Sequence, residues 1–225
     1  MTGPKDLVIV GDSAFAEVAY EYFTHDSPYR VVGFSVERAY LKKPALCGLP
    51  VVPLEEVEAA FAPAAHSAFV AVTYTQMNRL RARLYQAVKA RGYAPASYVS
   101  SRAFVWRNVA LGEHCFIFEN NVVQPFVKLG NNVVLWSGNH VGHHTTVGDN
   151  CFISSHVVLS GYVTVGENCF LGVNAAVSNN RTVGRDCWVG PGVVLTQDAP
   201  EGSLYGAPKA EPSKVGSLRF FRVAA

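Results

Sequence analysis

The sequence predicts a mixed architecture: a small N-terminal α/β domain of βαβ type with a parallel sheet, followed by a parallel β-helix of triangular section. Three observations lead there. Counting by six from Val99 meets Val105, Leu111, Ile117, Val123, Leu129, Leu135, Val141, Val147, Ile153, Leu159, Val165, Leu171, Val177, Val183, Val189 and Leu195, an unbroken aliphatic column. A longer period lies over it, because LGEHC from 111, LGNNV from 129, VGDNC from 147, VGENC from 165 and VGRDC from 183 return every eighteen residues. Before residue 97 neither period is present, and apolar runs of strand length alternate with helically spaced ones. A fixed period of this kind marks a solenoid, whose repeats bury their apolar sides against their neighbours.

Within residues 1–96, DLVIVG reads as a buried strand that stops at Gly11. Phe15, Val18, Ala19, Tyr22 and Phe23 then follow helical spacing, with Ser13 placed to cap the helix. YRVVGFSV supplies a second strand, LPVVP the start of a third and SAFVAV another. Between 75 and 92, Met77, Leu80, Leu84, Ala87 and Val88 share a helical face, and Arg79, Arg81, Arg83, Lys89 and Arg91 fall mostly off it. Alternation of strands and helices implies a parallel sheet. The turn after its first strand is a natural phosphate cradle, since the following helix starts with free backbone amides. Gly11, Asp12 and Ser13 are therefore candidate substrate-binding residues, although one glycine stands where a dinucleotide fingerprint has three. A plain strand-to-helix turn is the competing reading.

From 97 to 199 three hexads make one coil, each side of the triangle a short strand and each corner a tight turn, with coils about 4.8 Å apart. The glycine that follows many of the aliphatics is read as supplying backbone freedom at the corner. The position four after each aliphatic also points inward, and there stand Val109, Cys115, Val127, Val133, Thr145, Cys151, Val157, Val163, Cys169, Ala175, Cys187 and Val193. Four of the five cysteines thus form an interior column, which argues against a disulfide or catalytic role for them. A lone prism would leave its outer sides partly apolar, with Trp136 and Phe118 among the exposed candidates, and threefold packing of copies would cover them. Residues 200–225 form a tail.

Composition narrows the partners. With 49% hydrophobic residues the chain buries a sizeable core, and a net charge of +2 with 16% charged residues provides no basic field for nucleic acid or anionic lipid. Small ligands are the expected partners. The apolar run Leu7 to Val10 is too short for a signal peptide or a membrane span, so a cytoplasmic location is expected.

The pattern [LIV]-G-x-x-[small]-x over residues 97 to 199 resembles the left-handed β-helix of the hexapeptide-repeat acyltransferases, and the handedness comes from that resemblance. With the preceding βαβ domain, the whole chain is similar to bacterial sugar acetyltransferases related to sialic acid O-acetyltransferase and to the UDP-4-amino-sugar and GDP-perosamine N-acetyltransferases. The resemblance extends into the tail, SLYGAPKAEP. It implies a homotrimer in which the N-terminal domain holds a nucleotide-linked sugar and the β-helix holds acetyl-CoA between adjacent subunits. It implies a catalytic histidine in the context V-x-H-[DE], matched here by Val141-Gly142-His143-His144. Acetyl transfer requires removal of a proton from the attacking amine or hydroxyl, which a neutral imidazole performs. Ser160, Gly161, Val173, Asn179, Gly192 and Lys209 become the expected coenzyme contacts, and Glu119 and Trp136 join the cradle loop as expected substrate contacts. The positions one and two coils after His143 are Gly161 and Asn179, so the corner beside it loses a side chain where a pantetheine arm would run.

The sequence departs from that pattern in three places. His144 replaces the acidic neighbour of the catalytic histidine, leaving Glu119 or a residue of an adjacent subunit to substitute. Trp136 stands where the 4-amino-sugar enzymes place an asparagine, and Phe15 where relatives often show histidine. The acceptor is thus left open between an amino sugar, a sugar hydroxyl and a group without a nucleotide. The alternatives are an O-acetyltransferase and a non-catalytic β-helix that binds a nucleotide sugar. The cluster His140, His143, His144 raises the question of a metal, but ligands on a common face two coils apart need a spacing near thirty-six. At that distance His114 meets Asn150, His140 meets Ala176 and His143 meets Asn179, so no metal is expected. His156 is outward and lies either near the thioester or in solvent.

Overall fold

A computed structural model describes residues 5–207 and 209–223; Pro208, inside the tail segment SLYGAPKAEP, lies outside the described residues. The N-terminal sheet contains β1 (Lys5–Val10), β2 (Tyr29–Val36), β3 (Ala45–Leu46), β4 (Leu49–Pro53), β5 (His66–Val70) and β6 (Ala94–Pro95). Their order is β3-β4-β2-β1-β5-β6, parallel throughout except for the β3–β4 hairpin. Helix α1 (Ala14–His25) follows β1, a single turn α2 (Val57–Ala60) precedes β5, and α3 (Arg79–Ala90) follows it. Ser13 is the N-cap of α1, but its carbonyl rather than its hydroxyl closes the first turn, accepting from the Ala16 amide at 2.8 Å. No helix among the described residues is long and apolar enough to cross a membrane.

From Tyr98 to Leu195 every hexad contributes one two-residue strand, and three parallel sheets close a triangular prism. The first face runs from Tyr98–Val99 to Leu204–Tyr205, the second from Phe104–Val105 to Val194–Leu195 and the third from Ala110–Leu111 to Thr182–Val183. Pairing continues past 199, because Leu204–Tyr205 adds a last strand beside Trp188–Val189. The interior is the aliphatic column with Cys115, Cys151, Cys169 and Cys187, all four buried as free thiols. Val99 and Leu111 depart from the column's rule and are exposed, since the first coil has no coil beneath it.

The corners differ from expectation. The residue in the left-handed region is three positions after each aliphatic from Leu111 to Val189: His114, Asn120, Phe126, Asn132, Gly138, His144 and so on at every sixth residue to Gly192. Asn and Asp dominate that column because their short polar side chains tolerate positive φ. The glycine directly after the aliphatic has another purpose. A Cβ on Gly142 would stand 2.7 Å from the Gly161 amide nitrogen, and one on Gly148 2.8 Å from that of Glu167. It is absent so that successive coils can stack.

The two domains share one core. Phe15 and Phe23 of α1 and Phe69 of β5 pack on Phe116, Phe118, Phe152 and Phe170, which project outward from the first face. Phe118 is consequently buried and Trp136 half-buried under the chain's own N-terminal domain, which corrects the expectation that threefold packing would cover them. The position of Phe15 is explained by the same contact, with its ring 5.3 Å from that of Trp136.

Beside this apolar seam lies a polar one. Arg81 is wholly buried, contrary to its place off the apolar helical face. Its guanidinium donates to Asn132 Oδ1 at 3.1 Å and to the Asn150 carbonyl at 2.8 Å, and reaches Thr73 O and Asn78 Oδ1 at 3.0 Å. Burial pulls its pKa down to about 10, so it remains charged at neutral pH. His114 Nε2 accepts from the Val70 amide at 2.7 Å, and its Nδ1 lies 2.9 Å from Asn132 Oδ1. Burial lowers the His114 pKa to about 3, with the nearby Arg81 charge adding to the effect against the opposing Asn132 hydrogen bond. Below the ordinary histidine range the unfolded chain therefore binds a proton that the native protein refuses, and stability falls with pH from about 6.5 to 3. Urea unfolding across that window should show uptake of a proton on unfolding, and His114→Gln should remove this contribution to the slope.

Candidate active site

Sequence and backbone geometry combine at the end of β1. Gly11 has φ +130°, and a Cβ there would stand 2.7 Å from the Ala71 carbonyl oxygen, so the tight passage between β1 and β5 admits glycine alone. Gly11, Asp12 and Ser13 border a cleft of about 310 Å³ at the carboxyl ends of the parallel strands, closed on the other sides by Glu37, Tyr40 and Thr73. Lys43 Nζ donates to the Asp12 carbonyl at 3.1 Å and steadies the loop. Glu37, at the exit of β2, takes two hydrogen bonds of 2.8 Å from Arg83, which hold its carboxyl below the usual range. Glu37 and Tyr40 were not singled out from the sequence, although their position just past YRVVGFSV was the available signal.

Thr73 also borders a smaller hollow of about 150 Å³ with Trp136, Phe152, Ser154, Ser155 and Val173, so the two cavities meet at one residue. This hollow flanks the corner between the first and second faces, where Glu119, Ser137, Ser155, Val173 and Pro191 succeed one another and Gly192 follows the last. Trp136 forms its wall, stacked on Phe118 with ring centroids 4.2 Å apart. Glu119 accepts a hydrogen bond of 2.6 Å from Tyr22. Burial works against its charge, but hydrogen bonds from Ser137 and Tyr22 prevail and lower its pKa. Tyr22 is pushed up to about 12, first by burial and then by Glu119.

His143 and His144 occupy a different corner, between the second and third faces. Glu119 of the same chain is therefore not the neighbour of His143. Both histidines are exposed, and their Nδ1 atoms are 3.1 Å apart. Backbone bonds fix the turn: the His143 amide donates to Gln124 Oε1 at 2.9 Å, and its carbonyl accepts from the Tyr162 amide at 3.0 Å. The clearance expected at Gly161 exists and is filled by the histidine itself, since a Cβ on Gly161 would stand 2.8 Å from His143 Cε1 and Nε2. Ser160 accepts the Thr145 hydroxyl at 3.0 Å through its carbonyl, and Asn179 is exposed one coil further on. The six expected coenzyme residues therefore divide. Ser160, Gly161 and Asn179 share the corner of His143, Val173 and Gly192 share that of Trp136, and Lys209 is exposed in the tail. His140 projects from the second face, whereas His156 shares the Trp136 corner, directly after Ser155, with its ring over Gly138. No group of three or more His, Cys, Asp or Glu side chains able to hold a metal occurs among the described residues.

Two family descriptions match the prism, bacterial transferase hexapeptide (six repeats) over residues 126–161 and hexapeptide repeat of succinyl-transferase over 162–197. The hexapeptide repeat and the fold make the protein an acyltransferase built on a left-handed β-helix. Within that class the chain is similar over nearly its full length to PerB from Caulobacter crescentus, solved in complex with CoA and GDP-perosamine. The identity is 28%, with 90% of this chain and 94% of that one covered at a TM-score of 0.79. The acetyltransferase domain of PglB from Neisseria gonorrhoeae shares the fold at 24% identity, covering 93% of this chain and 100% of that one with a TM-score of 0.82. The same domain in complex with acetyl coenzyme A matches at 23% identity, with 94% and 100% covered and a TM-score of 0.81. No curated protein matches the chain.

The contact between Gly161 and His143 gives a direct test. Gly161 does not occupy the left-handed region, so alanine is conformationally acceptable there, but its methyl would displace the imidazole. Gly161→Ala should fold with an unchanged melting temperature to within a few degrees and, with His143 as the base proposed below, lose acyl transfer by about 100-fold, the effect of a misplacement of roughly 1 Å. Steady-state kinetics of the variant measure it.

Proposed function

We propose that the protein transfers an acetyl group from acetyl-CoA to the amino group of a nucleotide-linked sugar, with His143 as general base, and that it works as a homotrimer. The observation that carries this reading is the pairing of a strand-end cleft at Gly11 to Ser13 with an exposed histidine on a hexapeptide corner, in a chain similar to PerB. In this reading the nucleotide occupies the cleft, with its phosphates toward the amides at the start of α1. The sugar passes Thr73 into the hollow walled by Trp136, where Ser154 and Ser155 offer hydroxyls. Acetyl-CoA runs along the prism axis past Ser160, Gly161 and Asn179, its apolar pantetheine segment against Tyr162 and Val158, both exposed.

The division of the expected residues between two corners supports assembly. Both corners bound the second face, whose outward residues Phe104, Val122, Val158 and Val194 are exposed. The third face instead presents Lys128, Thr146, Thr164 and Thr182, and the first is covered by the N-terminal domain. A cyclic association through the second face sets the His143 corner of one copy against the Trp136 corner of the next. The base, the acceptor hollow and the coenzyme groove then meet at a subunit boundary.

Three experiments test this. Thermal shift with acetyl-CoA and a panel of nucleotide sugars should raise the unfolding midpoint, since ligands that bind only the native state stabilise it. His143→Ala should retain both shifts while losing at least about 100-fold in turnover, and unchanged turnover would end its assignment as base. Val158→Asp should convert the trimer to monomer by light scattering and abolish activity with the fold intact. A monomer that remains active would refute the boundary site.

A further inference from the structure

The residue beside the base is a second histidine, and its surroundings are specific. His144 has φ +60°, the left-handed corner conformation. Phe126 and Tyr162 hold the same corner position one coil before and one coil after it. Both stack on its imidazole, with centroids 4.6 and 4.7 Å away and interplanar angles of 25° and 14°. An aromatic ladder therefore fixes the plane of His144. His143 stands perpendicular to that plane, at 88° to His144 and to Tyr162, and the two rings meet Nδ1 to Nδ1 at 3.1 Å. The groups facing the pair are Gln124, Phe126, Gly161 and Tyr162, of which only the Tyr162 phenol titrates. Among the described residues neither ring forms an ion pair with a carboxylate.

Two neutral imidazoles meeting nitrogen to nitrogen share one proton, so one donates and the other accepts. If His144 donated, the proton of neutral His143 would reside on Nε2, and the nitrogen beside Gly161 would have no lone pair to receive another. If His143 donates, its Nε2 is left basic. We propose that His144 is a positioning residue that accepts a hydrogen bond from His143 Nδ1–H and so fixes the tautomer in which His143 Nε2 acts as base, a neutral imidazole doing what a carboxylate does in the expected pattern. This deepens the acetyltransferase reading and rests on it. In the reaction the acceptor nitrogen forms its bond to the acetyl carbonyl carbon and the carbon–sulfur bond breaks. The proton lost by the acceptor passes to His143 Nε2 and then to the departing sulfur, giving the free thiol of CoA. His144 keeps its own proton on Nε2 throughout and holds the transient imidazolium by hydrogen bonding, without a countercharge.

The chain supplies its own controls, because phenylalanine and asparagine already occupy this corner position at Phe126 and Asn180. His144→Phe preserves the stack and removes the acceptor. His144→Asn removes the stack and places an oxygen near the lost Nδ1. The expected result is a fall in kcat of about 100-fold for His144→Phe with both KM values nearly unchanged, and recovery by His144→Asn to within about tenfold of the native enzyme. His144→Glu should move the acid limb of the kcat profile to higher pH, since a carboxylate stabilises the imidazolium. Native kcat in His144→Phe, or an equal loss in both variants, would reduce His144 to packing and overturn the proposal. Nitrogen-15 NMR of histidine-labelled protein reads the tautomers without turnover: His143 should carry its proton on Nδ1 and His144 on Nε2, and the reverse assignment overturns the proposal. A native protein that acetylates no sugar would refute the proposed function, and the tautomer measurement would still decide the role of His144.

Discussion

The distance between one coil and the next governs the rest of this molecule. Up to Val194–Leu195 the strands on all three faces pair in strict register eighteen residues apart, and the coil can repeat only if every corner turns the same way and leaves room for the corner above. Two residues meet those requirements. One sits in the left-handed region to complete the turn, and the other is a glycine whose missing Cβ lets backbones approach. With both in place, a residue's number specifies its face, its height and whether it points inward. His144 lies between Phe126 and Tyr162 for that reason and no other, and His143 lies over Gly161 by the same rule.

Much of this was legible because the interior of a narrow prism accepts only aliphatic or small side chains, so the six-residue column is visible without any structure. The glycine was legible as a position but not as a cause, since a sequence does not distinguish need for positive φ from need for contact. The true positive-φ column was present as a six-residue series including Asn132, Asn150, Asn168 and Asn174, and its histidine and aromatic members disguised it. Faces were harder. Outward residues on the first and second faces are equally apolar in the sequence, as Phe116 and Val134 compare with Phe104 and Val122. Which of them the N-terminal domain covers depends on where α1 and α3 dock, and no local period encodes that.

Arg81 shows how that docking is specified. An apolar seam alone, with flat rings from α1 against flat rings from the first face, would tolerate sliding. Arg81 removes that freedom, because a buried guanidinium must satisfy its donors. It finds acceptors on Asn132 in one coil and on the Asn150 and Cys151 carbonyls in the next. Asn78 adds contacts to the Asn168 and Cys169 carbonyls one coil higher. The N-terminal domain is thereby registered against three successive coils, as the pattern of a helix with arginines off its apolar face does not reveal.

That registration has a consequence for the site. The cleft at Gly11 belongs to the N-terminal sheet and the hollow at Trp136 to the prism, and Thr73 lines both. Thr73 is also one of the acceptors of Arg81, through its carbonyl at 3.0 Å. The junction between the cavities is therefore held by the same side chain that fixes the domain's height on the prism. A ligand spanning cleft and hollow meets a passage whose length is set by the coil spacing and not by a hinge. In the proposed function the reacting end of such a ligand reaches the corner between the first and second faces, and His143 stands at the other edge of the second face. Within one chain the width of that face separates them. In the proposed trimer a neighbouring copy presents its own His143 corner across that exposed apolar face and brings its imidazole to the end of the passage.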